Sequence, residues 1–547
     1  MKKIISLLLI LTLLVTFTGC KKNDTSESEK FAQLTKQWFV EDMSQDYLTT
    51  HFALVDMSKY GIEKPEVTLG EIENDEEDTT YKDRLAQLEK IKASKLSAQD
   101  QLTYETLTDY YQLQQEMLDF EYDYGFLFTP NSGVNNNLIT NFTEFALRNE
   151  EDARDFITLV RDSGRYMDLC IDYTKQQAQQ EIIQSDATID GILEQCRRFI
   201  ANVEDNEVIK AYNTSINKLN LTNSQDYKEE LAQAVKEILI PAYERVIAMY
   251  EELKGKSVNQ DGLYYYDGGK EYYAEMFKYR ASSSQSVEKA EKALEKEIDR
   301  LVRKIVRQQV KLNDEEQNAF ENADYGYSDP YEMLDYLKKA MQQDFPQIPQ
   351  VNYTVDYLDP SVTSDNVVAY YLIASIDNLT DNIIKCNQSY CKDDPSYLCI
   401  TLSHEGYPGH LYQHTYYFTN NPDQLIRYNL DYSGFTEGWA MYVEDYAYGY
   451  FEKSAEVREL NIYYNRFNYY LEAYCDILIN YEGYRQDDIS NYLQNFFTRE
   501  YADELAESLY STLVSDPLMF VPYALGYYHM TELYDKAENK LGEKFNV

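Results

Sequence analysis

Histidine is scarce in this chain, with five residues in 547. Cations are short as well: 51 Lys and Arg stand against 94 Asp and Glu, for a net charge of −43. So acidic a body repels nucleic acid and anionic membrane surfaces, which excludes both as partners. Past the first seventeen residues, no apolar run approaches the ~20 residues a membrane-spanning helix needs. There is no P-loop, no dinucleotide fingerprint and no GxSxG elbow, so nucleotide chemistry and serine hydrolysis lack their usual signatures. Internal repeats and low-complexity blocks are also missing. The cysteines beyond Cys20 are Cys170, Cys196, Cys386, Cys391, Cys399 and Cys475, and their spacing fits no zinc knuckle. Cys386, Cys391 and Cys399 could include a disulfide pair after export, with buried free thiols an equal alternative.

Against that scarcity, three of the five histidines fall within eleven positions: His404-Glu405-Gly-Tyr-Pro408-Gly409-His410, then Leu-Tyr-Gln413-His414. A His-Glu pair with another His nearby is the chemical core of a zinc hydrolase. Two neutral imidazoles hold the metal, and the glutamate takes a proton from the water it activates. In the common HExxH form the histidines are four apart, on one helical face. His404 and His410 are six apart, about 120° from each other on an ideal helix. Gly406, Pro408 and Gly409 lie between them and permit a bulge or a break that restores convergence. His410 and His414, four apart, form the alternative helical pair.

A third ligand is required. Gly434-Phe-Thr-Glu437-Gly-Trp-Ala-Met-Tyr-Val-Glu444 follows, with Glu437 and Glu444 seven apart on one helical face. The gap from His404 to Glu437 suits a ligand donated by the next helix of an antiparallel pair. Apolar neighbours such as Trp439, Met441 and Val443 imply that these acids are buried, and so paired or metal-bound.

HEGYPGHLYQ followed by TEGWAMYVE resembles the bacterial family called domain of unknown function 885, whose hallmarks are HExxPGHxxQ and EGWA segments. That family resembles the mostly helical gluzincin metallopeptidases of the carboxypeptidase Taq, thimet oligopeptidase and angiotensin-converting enzyme groups. The resemblance implies one Zn²⁺ per chain, His404 and His410 as ligands, Glu405 as general base and Glu437 as third ligand. It also marks Gln413, and Tyr523 with Gly526 in a C-terminal Tyr-x-x-Gly pattern; Tyr523 is the candidate oxyanion donor. Weaker resemblance runs from about Gly262 to the C-terminus. Two departures stand out. Where members carry Asp-Thr-Gly-x-His, this chain keeps Asp476 but has Asn480 in place of His. Members also continue past the LGEKF-like segment, so a shortened copy is expected, with Phe545 incompletely buried.

Met1-Lys2-Lys3, an apolar run from Ile4 to Phe17, and Thr18-Gly19-Cys20 describe a lipoprotein signal peptide, with lipid on Cys20. The expected product is exported and held at the cell surface only through that anchor. Residues 21–30 read as a polar tether, 31–254 as an N-terminal helical region, and 262–547 as the catalytic region. Periodicity is mainly helical, over residues 84–118, 150–180, 188–203, 227–254 and 286–312, the last with an apolar stripe at Leu294, Ile298, Leu301, Val302 and Ile305. Alternation at Val351–Tyr357 predicts a strand that pairs with residues 367–376 and 382–387. The expected fold is therefore mostly α and gluzincin-like, with a small antiparallel sheet beside the histidine helix whose edge could take an extended peptide.

The function expected is a zinc-dependent peptidase acting on peptide substrates. The alternatives are a surface lipoprotein that uses its 54 tyrosines to bind glycans or peptides, and a metal-binding pseudoenzyme. Glu444 is the next candidate base, and lone His529 reads as structural.

Overall fold

The computed structural model describes residues 26–72, 79–118, 124–347, 351–358 and 367–545. The expected signal peptide and Cys20 lie outside them. Helices dominate. Ser26 caps a helix over Glu27–Met43, and Glu29 returns the bond in a capping box, so the end of the expected 21–30 tether is helical. The expected helix at 84–118 is two, Thr80–Leu88 and Ala98–Leu118, because the Ser97 hydroxyl bonds to Asp100 and starts the second afresh. The stretch at 227–254 is interrupted by a π turn at Val235–Leu239 just before Pro241, which has no N–H to give. Among the described residues no helix is long and apolar enough to cross a membrane.

The sheet is mixed rather than antiparallel. Its strands are β1 (Asn352–Tyr357), β2 (Ala369–Leu372) and β3 (Asp381–Cys386), in the order β1-β3-β2. β3 runs parallel to β1 and antiparallel to β2. It takes the centre because Asn382, Ile384 and Cys386 are all buried, whereas β1 buries only Val355 and β2 only Tyr371. All six cysteines from Cys170 onward are free thiols.

Among the described residues, apolar side chains collect in three clusters. One lies within residues 47–253, and the largest draws mainly on residues 263–527. The third joins Trp38, Phe39 and Leu107 to Ile376, Phe418 and Ile426, so the N-terminal helices brace the loop after β2 and the segment after the histidines. Asp377 strengthens that brace by accepting the Val55 and Asp56 amides at 2.8 and 3.0 Å. At the other end, Phe545 is half-buried, its ring edge-on to Tyr534 at 4.8 Å.

Two helices in the largest cluster cross with backbones in contact: Ser433–Phe451, which carries Glu437, and Val521–Leu541, which carries Tyr523. A Cβ on Gly438 would stand 2.4 Å from the Gly526 carbonyl carbon, and one on Gly526 would stand 2.0 Å from the Gly434 oxygen. Both positions must stay bare for Tyr523 to approach Glu437. Gly438→Ala is expected to lower stability by about 1–3 kcal/mol through forced separation of these helices. Urea denaturation checks this, and an unchanged midpoint would show that the crossing can open freely.

Candidate metal centre

The histidine segment contains a full break. One helix, Pro395–Glu405, ends at Gly406, the Tyr407–Pro408 peptide bond is cis, and a second helix starts at His410 and runs to Asn420. Gly409 permits the tight join, since a Cβ there would sit 1.7 Å from the His404 carbonyl oxygen. Trp439 Nε1 donates to the Pro408 oxygen at 2.9 Å and ties the break to the Glu437 helix. The break swings His410 round until its ring meets that of His404 edge-on, centroids 4.7 Å apart.

Glu437 completes the group. Its Oε2 lies 3.3 Å from His404 Nε2 and 3.5 Å from His410 Nε2, and ligand atoms of all three residues fall within 4.8 Å of one another. Tetrahedral zinc with bonds of about 2.0–2.1 Å places neighbouring ligand atoms about 3.3–3.4 Å apart. Glu437 Oε2 is buried and without a hydrogen bond, as is His410 Nδ1. An orphaned carboxylate oxygen between two imidazole nitrogens fits a divalent cation. Burial works against charge on His404, but Glu437 and Glu444 on either side hold its pKa well above the usual range. Burial likewise opposes charge on Glu437, and the two imidazoles win, holding its carboxyl well below the ordinary value.

Glu444, two turns beyond Glu437, is placed behind the group. Its Oε1 meets His404 Nδ1 at 2.9 Å, and its Oε2 accepts from Asn465 at 2.7 Å. That contact orients the His404 ring with Nε2 toward the other ligand candidates. Glu405 is tied to the sheet: its Oε2 accepts the Tyr371 amide of β2 at 2.8 Å, and burial raises its pKa. Tyr523 lies along the other wall, its ring stacked on His404 at 6.3 Å and on Tyr469 at 5.9 Å. Burial, with Glu437 and Glu405 in reach, pushes its phenol far up, so the hydroxyl keeps its proton.

The remaining candidates are placed apart. His414 Nε2 bonds the Ala374 carbonyl at 2.9 Å, and burial lowers its pKa to about 4, as for a neutral core imidazole. It is not brought together with His410 as a pair. Gln413 has a buried amide nitrogen without a partner. Asp476 is fully buried and gives one oxygen to Asn480 at 2.8 Å and the other to the Leu518 amide at 2.6 Å. Asn480 also accepts the Leu263 amide and donates to the Leu513 carbonyl, so its place in the fold is structural. His529 is part-buried, and burial lowers its pKa.

Asn465, Tyr469 and the Tyr371 amide carry no motif and escape a reading of the sequence. So does Glu472, one turn after Tyr469 on the helix Ala455–Asn480. Burial raises its carboxyl to about 7. The folded chain therefore holds this proton more tightly than the unfolded chain, whose value is near 4.5. Glu472 thus favours the folded state fully below pH 4.5, and that contribution fades as pH rises through 7. Stability is expected to fall over this window by up to about 3 kcal/mol on its account. Glu472→Gln should flatten the pH profile and be more stable than the native chain at pH 8; equal slopes would remove Glu472 as the source.

Comparison with known proteins agrees with these hallmarks. Residues 64–547 match the family described as bacterial protein of unknown function (DUF885), and the chain belongs to that family. A protein of Colwellia psychrerythraea, described as a "putative lipoprotein", has a similar structure: TM-score 0.77 at 17% identity, covering 95% of this chain and 94% of that one. A second, a "putative lipoprotein of unknown function" from Shewanella oneidensis, gives a TM-score of 0.58 at 14% identity, covering 94% and 95%. At these identities the likeness is one of fold. No curated protein matches the sequence.

Proposed function

We propose that this member of the DUF885 family is an exported, zinc-dependent peptidase of gluzincin type. The observation that carries the reading is the convergence of His404, His410 and Glu437 with Glu405 beside the first ligand. A zinc ion held by those three residues would supply Lewis acidity toward a peptide carbonyl and toward water.

The chain's own residues supply the rest. Glu405 is the general base: its carboxylate takes a proton from the attacking water and passes it to the leaving amine. The Tyr371 amide fixes Oε2 of that carboxylate, so its orientation is set before substrate arrives. Glu444 holds the His404 ring from behind. Tyr523, with its proton retained by burial, donates a hydrogen bond to the developing oxyanion. Among the described residues β2 pairs only with β3, and a peptide laid along its other side would lie next to Glu405. Asn480, in place of a family histidine, sits in a structural network and takes nothing from this set. The lipid anchor on Cys20 rests on the N-terminal sequence and accords with the description of both similar structures.

A peptide library presented to zinc-loaded and to chelator-treated protein tests the reading. Cleavage is expected only with metal. Cleavage insensitive to chelation, or none with stoichiometric zinc bound, would refute it.

A further inference from the structure

Arg280 ends the helix Gly269–Arg280 and is half-buried. Among the described residues its guanidinium has no hydrogen bond, ion pair or ring contact, although the chain has 94 acidic residues to 51 Lys and Arg. A half-buried guanidinium gives up hydration, and that cost is normally offset by a carboxylate. Its planar fork of donors matches a carboxylate in shape as well as charge.

Its location says which carboxylate. The Arg280 carbonyl accepts from Ser433 Oγ at 3.4 Å, and a Cβ on Gly434 would come within 3.1 Å of that same carbonyl. Arg280 is thus seated on the first turn of the helix that presents Glu437 one turn later. Its charge reaches the Tyr523 hydroxyl, which also feels Glu405 and Glu437. Asp476 is within reach too, but both its oxygens are committed to Asn480 and Leu518. Two residues on, the Ser282 hydroxyl is buried and without a partner. In a body of net charge −43, an uncommitted cation seated on the helix that carries Glu437 is what would admit an anionic chain end.

We propose that Arg280 binds the C-terminal carboxylate of the substrate, which makes the enzyme a carboxypeptidase. The proposal rests on the peptidase reading. Hydrolysis then breaks the last C–N bond: the water's hydroxyl goes to the carbonyl carbon, its proton goes to the leaving amine, and one free amino acid departs.

The test uses the zinc-loaded chain and two pools of N-acetylated tetrapeptides, one with free C-terminal acids and one with C-terminal amides. The acids should lose their last residue, with kcat/KM about 10–100-fold above the amides, the range of a charge-assisted bond. Arg280→Met should bring the acids down to the native level for amides, through KM rather than kcat, with one zinc per chain retained. Arg280→Lys should recover part of the preference. Equal cleavage of both pools, or a variant that loses kcat on both alike, overturns the assignment and leaves the peptidase reading standing. Cleavage of neither pool sinks the peptidase reading, and calorimetry then decides on Arg280. Acids bound in preference to amides, with the preference lost in Arg280→Met, supports it; equal binding or none overturns it.

Discussion

Glu405→Gln is expected to keep one zinc per chain while losing about 10²–10⁴-fold in peptide hydrolysis, the usual cost of a missing general base. The substitution preserves shape. An amide oxygen can still accept from the Tyr371 N–H, which is 2.8 Å from Glu405 Oε2. Glu405 is not among the three groups that converge, so the metal should stay. What disappears is the capacity to take a proton. Elemental analysis and turnover of one cleaved peptide check the two halves separately. Undiminished turnover would remove Glu405 from the role. Glu444 is poorly placed to inherit it, because its two oxygens are engaged by His404 and Asn465.

The parts of this site legible in the sequence are those whose chemistry and spacing are local. Three of five histidines in eleven positions announce a centre, and Glu437 within an apolar helix announces its partner. The manner of convergence was legible only as a choice between bulge and break. The break wins because Gly409 lets the second helix start directly against the His404 carbonyl. His414 misleads at the level of pattern: its spacing from His410 suits a ligand pair, yet the loop after β2 offers it the Ala374 carbonyl. Sheet direction was not legible either, since alternation marks strands but not their order. Arg280 and Glu472 escape because their meaning lies in what surrounds them. One is a cation that forms no ion pair among the described residues, the other a carboxyl raised by burial, and neither condition is written in neighbouring residues.

Zinc is expected to raise the unfolding free energy of the native chain by about 4 kcal/mol when free zinc stands a thousandfold above Kd. Ligands that converge only in the folded state make metal affinity part of folding free energy. The three come from two short helices and a third helix 27 or more residues further along the chain, so unfolding disperses them. Urea denaturation with zinc and with chelator measures the increment. His404→Ala, His410→Ala and Glu437→Ala should each abolish it. Glu444→Gln should only shrink it, by the 10–100-fold in affinity typical of a residue that orients a ligand, or about 1.4–2.8 kcal/mol. His414→Ala should lose stability equally with and without zinc, because that imidazole is a buried partner of Ala374. An increment that survives His404→Ala but vanishes in His414→Ala would move the centre to the His410–His414 pair and overturn the assignment.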